Sequence, residues 1–258
     1  MNLRKKHVAP NVLSIDIGNT LTKLALMEKG KVLEVQTCTL EQLEEHIAAI
    51  LNQHGNSLKA CSWINVNEQL DISTLVCWKA YPQISLLPIN HQTDFPIENL
   101  YATPHTLGAD RIVAVIGAQS LIKQGAVLVI DAGTAITYDY ANALSQYQGG
   151  GIAPGMSMRF RALHEFTARL PLIEASEDLP LVGQSTAASI RSGVQNGVLA
   201  EVNGIIQQYE NQQNGEFFVF LTGGDAAFFE KRLKNINFAS SNLIHFGIYR
   251  ILSHLKLT

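Results

Sequence analysis

Two stretches of this chain follow one plan. The first reads Val12-Leu13-Ser14-Ile15-Asp16-Ile17-Gly18-Asn19-Thr20, the second Val127-Leu128-Val129-Ile130-Asp131-Ala132-Gly133-Thr134-Ala135. Each apolar run of β type ends in Asp-x-Gly, passes through a short polar turn carrying a threonine, and enters a second apolar-rich run. One such segment is also what an ordinary Asp-Gly hairpin looks like. Two, in separate halves of one chain, predict a duplicated α/β fold with a phosphate-bearing ligand between the copies.

The surrounding pattern repeats as well. Residues 12–17, 21–27 and 31–37 read as three strands joined by short turns, an antiparallel meander. Residues 40–54 follow as a helix, with Leu43, Ile47, Ile50 and Leu51 at helical spacing, Thr39 placed to cap its start and Gly55 to stop it. Residues 60–66, 76–80 and 84–87 read as short strands, and 90–106 as irregular, broken by Pro96 and Pro104. A helix over 109–123 carries the apolar face Ile112, Val115, Ile116 and Leu121. The plan then restarts: strands at 126–131, 135–140 and 146–152, a helix at 156–169, one long helix or two over 186–212, a buried-type strand at 217–221, a helix near 226–234 and a closing amphipathic helix over 242–257. The division expected from this reading is residues 1–117 and 118–258, with the hinge on or near the 109–123 helix.

Composition narrows the function classes. A chain of 258 residues with 47% hydrophobic content can fill real cores. The net charge of -3 and the lack of a basic stripe argue against nucleic acid as a partner. The basic start (Arg4, Lys5, Lys6) is followed by no apolar signal-type core, and no run reaches the ~18 apolar residues of a membrane span. Three scattered cysteines, Cys38, Cys61 and Cys77, fit a reducing cytoplasm, and eight dispersed histidines give no zinc-type spacing.

Five segments carry chemistry. In Asp16-Ile17-Gly18-Asn19-Thr20-Leu21-Thr22-Lys23 the glycine admits an anion close to the backbone. Turn amides and the Asn19, Thr20 and Thr22 side chains can donate to phosphate, Lys23 adds positive charge, and Asp16 can hold Mg²⁺ directly or through water. No Gly-Lys-Ser/Thr is present, so this is not a Walker loop. In the second copy Asp131 can take a cation and Thr134 a terminal phosphate. Gly149-Gly150-Gly151-Ile152-Ala153-Pro154-Gly155 and Thr222-Gly223-Gly224-Asp225 expose backbone beside a strand end, as a flexible connector or a plain strand-to-helix turn also would. Gly108-Ala109-Asp110-Arg111 opens a helix, where the macrodipole favours anions. There Asp110 can accept a hydroxyl proton and Arg111 can clamp a carboxylate or phosphate. An Asp at a helix start beside a solvated Arg is the plainer account of that segment.

Taken together, these residues resemble the actin/hexokinase/sugar-kinase superfamily, and within it type III pantothenate kinases. The resemblance runs through Asp16-Ile17-Gly18-Asn19-Thr20-x-x-Lys23, Tyr101, Leu107-Gly108-Ala109-Asp110-Arg111, Asp131-Ala132-Gly133-Thr134-Ala135-x-Thr137, Gly150-Gly151-Ile152-x-Pro154-Gly155, Thr186 and Gly223-Gly224-Asp225. It implies two ribonuclease-H-like (actin-like ATPase) domains, each a mixed sheet flanked by helices, with the ligand cleft between them. It implies transfer of the ATP γ-phosphoryl group to pantothenate, giving 4′-phosphopantothenate, the first step of coenzyme A biosynthesis. Residue by residue, it implies an ATP phosphate loop of Asp16, Ile17, Gly18, Asn19, Thr20, Leu21, Thr22 and Lys23, with Mg²⁺ at Asp16. Thr134 becomes the γ-phosphate contact and Asp131 the ligand of a monovalent cation, K⁺ or NH₄⁺. Tyr101, Gly108, Ala109, Asp110, Arg111 and Thr186 line the pantothenate pocket, and Asp110 takes the hydroxyl proton. A cytoplasmic homodimer is also implied, with Thr186 reaching the partner's substrate. The competing expectations are a sugar-type kinase and a non-catalytic regulatory accessory protein. The intact Asp16 and Asp110 speak against the second, and Tyr101 with Gly108 to Arg111 against the first.

Overall fold

The structure, a computed structural model, describes residues 9–18, 21–65 and 70–258. Asn19 and Thr20 of the first loop, Val66 of the expected 60–66 strand, and the basic residues Arg4, Lys5 and Lys6 lie outside the described residues.

The first sheet starts as the alternation of its sequence requires. β1 (Val12–Ile17) pairs antiparallel with β2 (Thr22–Glu28), and β2 with β3 (Lys31–Cys38). The β2–β3 connection is two residues long, and Lys29 and Gly30 both take positive φ (50° and 74°), as a tight hairpin that matches strand twist demands. A 3-10 turn at Leu40–Gln42 leads into α1 (Leu43–His54). Thr39 N–H donates to Gln42 Oε1 at 3.3 Å at this start. β4 (Ala60–Asn65) then lies parallel to β1, and β5 (Ser85–Pro88) parallel to β4. The sheet order is β3-β2-β1-β4-β5. Val76–Ala80, expected as a strand, is a 3-10 helix. Its apolar run wraps Trp78, whose indole N–H donates to the Ile72 carbonyl at 2.7 Å, so a local turn takes the bonds a strand would have needed from a neighbour. A two-residue strand, β6 (Glu98–Asn99), precedes α2 (Ala109–Gln119).

The second sheet repeats the first. β7 (Ala126–Ala132), β8 (Ala135–Ala141) and β9 (Gln146–Pro154) form the antiparallel meander, β10 (Phe217–Thr222) adds parallel to β7, and β11 (Phe238–Ala239) parallel to β10. Five strands of this six-stranded sheet, in the order β9-β8-β7-β10-β11, repeat the order β3-β2-β1-β4-β5. The helices are α3 (Met156–Glu165), α4 (Thr186–Arg191), α5 (Gly197–Asn211), α6 (Ala226–Glu230) and α7 (Leu243–His254). The expected 156–169 helix stops early at Glu165, where the Thr167 hydroxyl donates to the Leu163 carbonyl at 2.7 Å. Between α4 and α5 the chain makes a π turn, Ser192–Asn196. Buried Gln195 sits on it with its amide paired to both the N–H and the C=O of Ser176 (3.0 and 2.9 Å). A π turn inside a helix is a recurrent way of aiming one such side chain.

Packing divides the chain into two compact units, Met1–Leu121 with Asn242–Thr258, and Ile122–Ser241. The sequence division at 117/118 left the closing helix with the second half; the contacts group it with the first. The cause is visible in α2 and α7. A Cβ on Gly117 would collide with the backbone of Leu243, and one on Gly247 with the backbone of Val113. Two glycines let these helices touch main chain to main chain, and the residues around them (Ile112, Val113, Ile116, Leu243, Ile248, Ile251) are all buried. In the first unit Leu13, Ile15, Ile17, Leu24 and Leu26 pack with α1. In the second, Leu128, Ile130, Ala132, Ile136 and Tyr138 pack with α5.

Candidate active site

Strand parity decides which residues of each Asp-x-Gly hairpin can do chemistry. In β1 the odd positions Leu13, Ile15 and Ile17 enter the α1 core, so Ser14 and Asp16 point to the other face. Antiparallel register sets Lys23 directly across from Asp16, and such a pair has its Cβ atoms roughly 5 Å apart. Thr22, paired with Ile17, is 1% exposed and belongs to the α1 face. Of the two residues at the start of β2, Lys23 is therefore the one on the side of Asp16. Gly18 N–H donates to the Leu21 carbonyl at 3.3 Å and closes the loop, while Leu21 is half exposed at its tip.

The second element of this site is the start of α2. Gly108 is its N-cap, with Asp110 in the first turn. Asp110 Oδ1 accepts from the Arg111 N–H at 3.0 Å. A Cβ on Gly108 would come 2.5 Å from that same oxygen, so glycine is what lets the carboxylate fold back over the helix start. Arg111 is almost fully buried, and its guanidinium stands 5.8 Å from the centre of the Tyr101 ring, within cation–π range. Tyr101 and the Gly108–Arg111 helix start thus come together in one patch.

The two elements feel each other. Burial raises the Asp16 carboxyl to about 6; Lys23 opposes that rise, and the charge of Asp110 adds to it. A buried carboxylate whose proton affinity a second carboxylate raises, next to a lysine, makes a site that gains from a further cation. Among the described residues no group of three or more His, Cys, Asp or Glu could cage a metal.

The second unit assembles its own cluster. Asp131 ends β7 on the face opposite the α5 core, across from Thr137 in β8 and beside Thr222 in parallel β10. Gly133 N–H donates to the Ala135 carbonyl at 2.9 Å, and Gly155 N–H to the Thr134 carbonyl at 3.1 Å. A Cβ on Gly155 would strike the carbonyls of Gly133 and Thr134, and one on Gly223 (φ +96°) would strike the Ala132 carbonyl and come 2.5 Å from Asp131 Oδ1. Asp225 N–H donates to the Ala132 carbonyl at 2.9 Å, and burial raises the Asp225 carboxyl. All three glycine-rich segments therefore meet around Asp131 and Thr134. Thr186 stands apart from this cluster, exposed at the start of α4, where Ser185 Oγ caps the helix by accepting from Ala188 N–H at 3.2 Å.

Sequence reasoning missed two participants. Asp225 was noted in its Gly-Gly-Asp turn without a role. His245 gave no signal at all, yet it is fully buried and bonded to Ser14, two residues before Asp16.

A family model described as type III pantothenate kinase matches residues 12–208. A protein of that name from Flavobacterium johnsoniae is 40% identical over 233 residues, 90% of this chain and 93% of that protein. The chain belongs to the type III pantothenate kinase family. Its fold is that of solved structures far from it in sequence. A conserved Baf family protein from Campylobacter jejuni aligns with a TM-score of 0.59 at 24% identity, covering 95% of this chain and 100% of the other. The activator of 2-hydroxyisocaproyl-CoA dehydratase from Clostridium difficile, solved with ADPNP bound, aligns with a TM-score of 0.55 at 12% identity, covering 95% and 96%. This type III pantothenate kinase is an α/β protein of two ribonuclease-H-like units of the actin-like kind, and as a kinase it uses ATP. No helix among the described residues is long and apolar enough to cross a membrane.

Proposed function

We propose that this chain carries out pantothenate kinase chemistry with Asp110 as proton acceptor and with Asp16 and Lys23 on the phosphate side. The observation that carries this reading is the start of α2, where the Asp110 carboxylate folds back over the Gly108 N-cap beside buried Arg111 and Tyr101, its charge close enough to add to the rise of the Asp16 carboxyl. The primary hydroxyl oxygen of pantothenate attacks the γ-phosphorus, the bond from that phosphorus to the β–γ bridging oxygen breaks, ADP leaves, and the hydroxyl proton passes to Asp110. Asp16 would hold the Mg²⁺ that accompanies the nucleotide, which would supply positive charge to the phosphates. Lys23 adds a fixed positive charge opposite Asp16, and Arg111, held against Tyr101, orients the pantothenate carboxylate. With the Gly18 N–H taken by the Leu21 carbonyl, the Leu21 amide and the side chains of Asn19 and Thr20 would complete the phosphate loop.

In the same reading Asp131 binds K⁺ or NH₄⁺ and Thr134 contacts the γ-phosphate. Backbone carbonyls crowded at Gly155 and Gly223 are the hard oxygen donors such a cation takes. The enzyme is a cytoplasmic homodimer in which Thr186 reaches the partner's substrate. Supporting this are large apolar side chains left open in the second unit: Phe166 is 85% exposed, and Leu181 and Val182, shortly before Thr186 in sequence, are 81% and 73% exposed, apolar surface of the kind a partner subunit covers.

The test is ADP release on adding pantothenate, with and without K⁺ or NH₄⁺. Pantothenate-dependent release stimulated by one of these cations is expected, and Asp110→Asn should lower kcat by about 10²-fold or more with ATP binding retained. Release that needs glucose instead of pantothenate, or near-normal turnover in Asp110→Asn, would overturn the assignment.

A further inference from the structure

Because β1 alternates, the face that carries Asp16 also carries Ser14, and the helix lying on that face is α7, which packs on β1 and on α2. From α7, His245 reaches Ser14 with Nδ1 2.8 Å from Oγ, a contact between residues 231 positions apart in which both side chains are 0% exposed. His245 lies beyond residues 12–208, the part the family model matches. Its Nε2 is buried with no hydrogen-bond partner among the described residues. A neutral imidazole has one N–H and one lone pair. A buried N–H left unpaired is costly, whereas an unpaired lone pair in the field of a cation is not, and the nearby cation is Lys23. The tautomer that fits has Nδ1–H donating to Ser14 Oγ, with the Nε2 lone pair unprotonated.

The helix that holds Ser14 also holds α2. Gly247, two residues after His245, meets the Val113 backbone, and Gly117 meets that of Leu243. One rigid element is therefore fastened to the strand of Asp16 through His245 and to the helix of Asp110 through the glycine crossing.

We propose that His245 is a positioning residue which, by clamping Ser14 from α7, fixes the end of β1 so that Asp16 and Lys23 meet Mg·ATP in register with Asp110. This rests on the reading of Asp16 and Asp110 given above. A histidine used only to fill the core would need no partner on the active strand, and a leucine would fill the space without burying a ring nitrogen that has no partner.

The test uses the full chain with His245→Leu, His245→Asn, Ser14→Ala and the double variant Ser14→Ala/His245→Leu. Steady-state kinetics with Mg·ATP and pantothenate varied separately is combined with calorimetric titration of Mg·ADP. His245→Leu and Ser14→Ala should each raise KM for Mg·ATP and weaken Mg·ADP binding by about 10-fold, the size usual for groups that orient a metal-site ligand, with KM for pantothenate within about 2-fold of the parent. The double variant should be no worse than the worse single one, and His245→Asn, which keeps a donor near the Nδ1 position, should recover most of the loss. Variants that melt earlier yet keep parental Mg·ATP kinetics and Mg·ADP binding would reduce His245 to a packing residue and overturn the proposal. Asp16→Asn is the control: if it binds Mg·ADP normally, the site reading fails; if it loses binding while Ser14→Ala does not, the clamp alone fails. Should His245→Leu not fold, Ser14→Ala carries the same test.

Discussion

Asp16 shows what a single buried carboxylate costs a folded chain. With the folded carboxyl raised to about 6 from an ordinary 3.8, the native protein holds this proton more tightly than the unfolded chain does. Its contribution is fully favourable below about pH 4, is lost as pH rises toward 6, and becomes a constant penalty above that. Asp16→Asn, which mimics the protonated state, should therefore raise the melting temperature of the ligand-free protein at pH 7.5, a gain of roughly 1–3 kcal/mol, and the gain should vanish below pH 4. Parallel melts at pH 4 and 7.5 check this; an equal effect at both would refute it. A divalent cation favours the charged form, so Mg·ATP affinity of the parent should weaken as pH falls below 6, measured by titration at pH 5.5 and 7.5. Both loops were legible in the sequence because a short apolar run ending in Asp-x-Gly leaves few conformations for the aspartate. Their two-sidedness was less so: the motif named Thr22 and Lys23 alike, and only the register separates the buried threonine from the lysine facing Asp16. His245 was illegible because one polar residue inside an amphipathic helix looks the same whether it faces solvent, core or site.

At the scale of elements, the meanders and the helix at Gly108 followed from period and punctuation. The failures have a common origin. Val76–Ala80 was read as a strand because it is short and apolar, and a run of that length satisfies a strand or a turn equally well until Trp78 finds its acceptor in Ile72. The break between α4 and α5 depends on Gln195 meeting a loop 19 residues away, which no local pattern encodes. The α2–α7 crossing is similar: no local pattern singles out Gly117 or Gly247, whose role is steric. Gly247→Ala should push the helices apart and cost about 1–3 kcal/mol, the usual range for overpacking, beyond the small gain in helix propensity. Chemical denaturation checks the size. In contrast, Gly204→Ala, at a site with nothing within 4 Å of the added carbon, should be neutral or stabilising.

At the scale of the molecule, the duplication announced by two nine-residue segments is complete in topology and incomplete in chemistry. Five strands run in the same order in both sheets, and both aspartates stand on the face away from the α1 or α5 core. The copies diverge in what surrounds the carboxylate: a lysine across the strand at Asp16, a threonine across the strand and crowded carbonyls at Asp131. Divergence of that kind fits two cation sites of different charge. Removing K⁺ and NH₄⁺ should lower turnover without abolishing Mg·ADP binding, and Asp131→Asn should remove the cation response; calorimetry with kinetics in tetramethylammonium buffer tests both.

The first unit is discontinuous in sequence and closes with residues that follow the second. Ile122–Ser241 is continuous, whereas the unit begun by β1 lacks α7 until Asn242–Thr258 has been added. On the ribosome, the strands bearing Asp16 and the helix bearing Asp110 must wait while some 120 residues of the other unit emerge, with the buried faces of Ile112, Val113 and Ile116 still uncovered. A chain ending at Ser241 should keep the second unit's protection from hydrogen exchange while the first exchanges freely and binds a hydrophobic dye. Synthesis order thus delays the packing of β1 and α2 until α7 has followed the second unit.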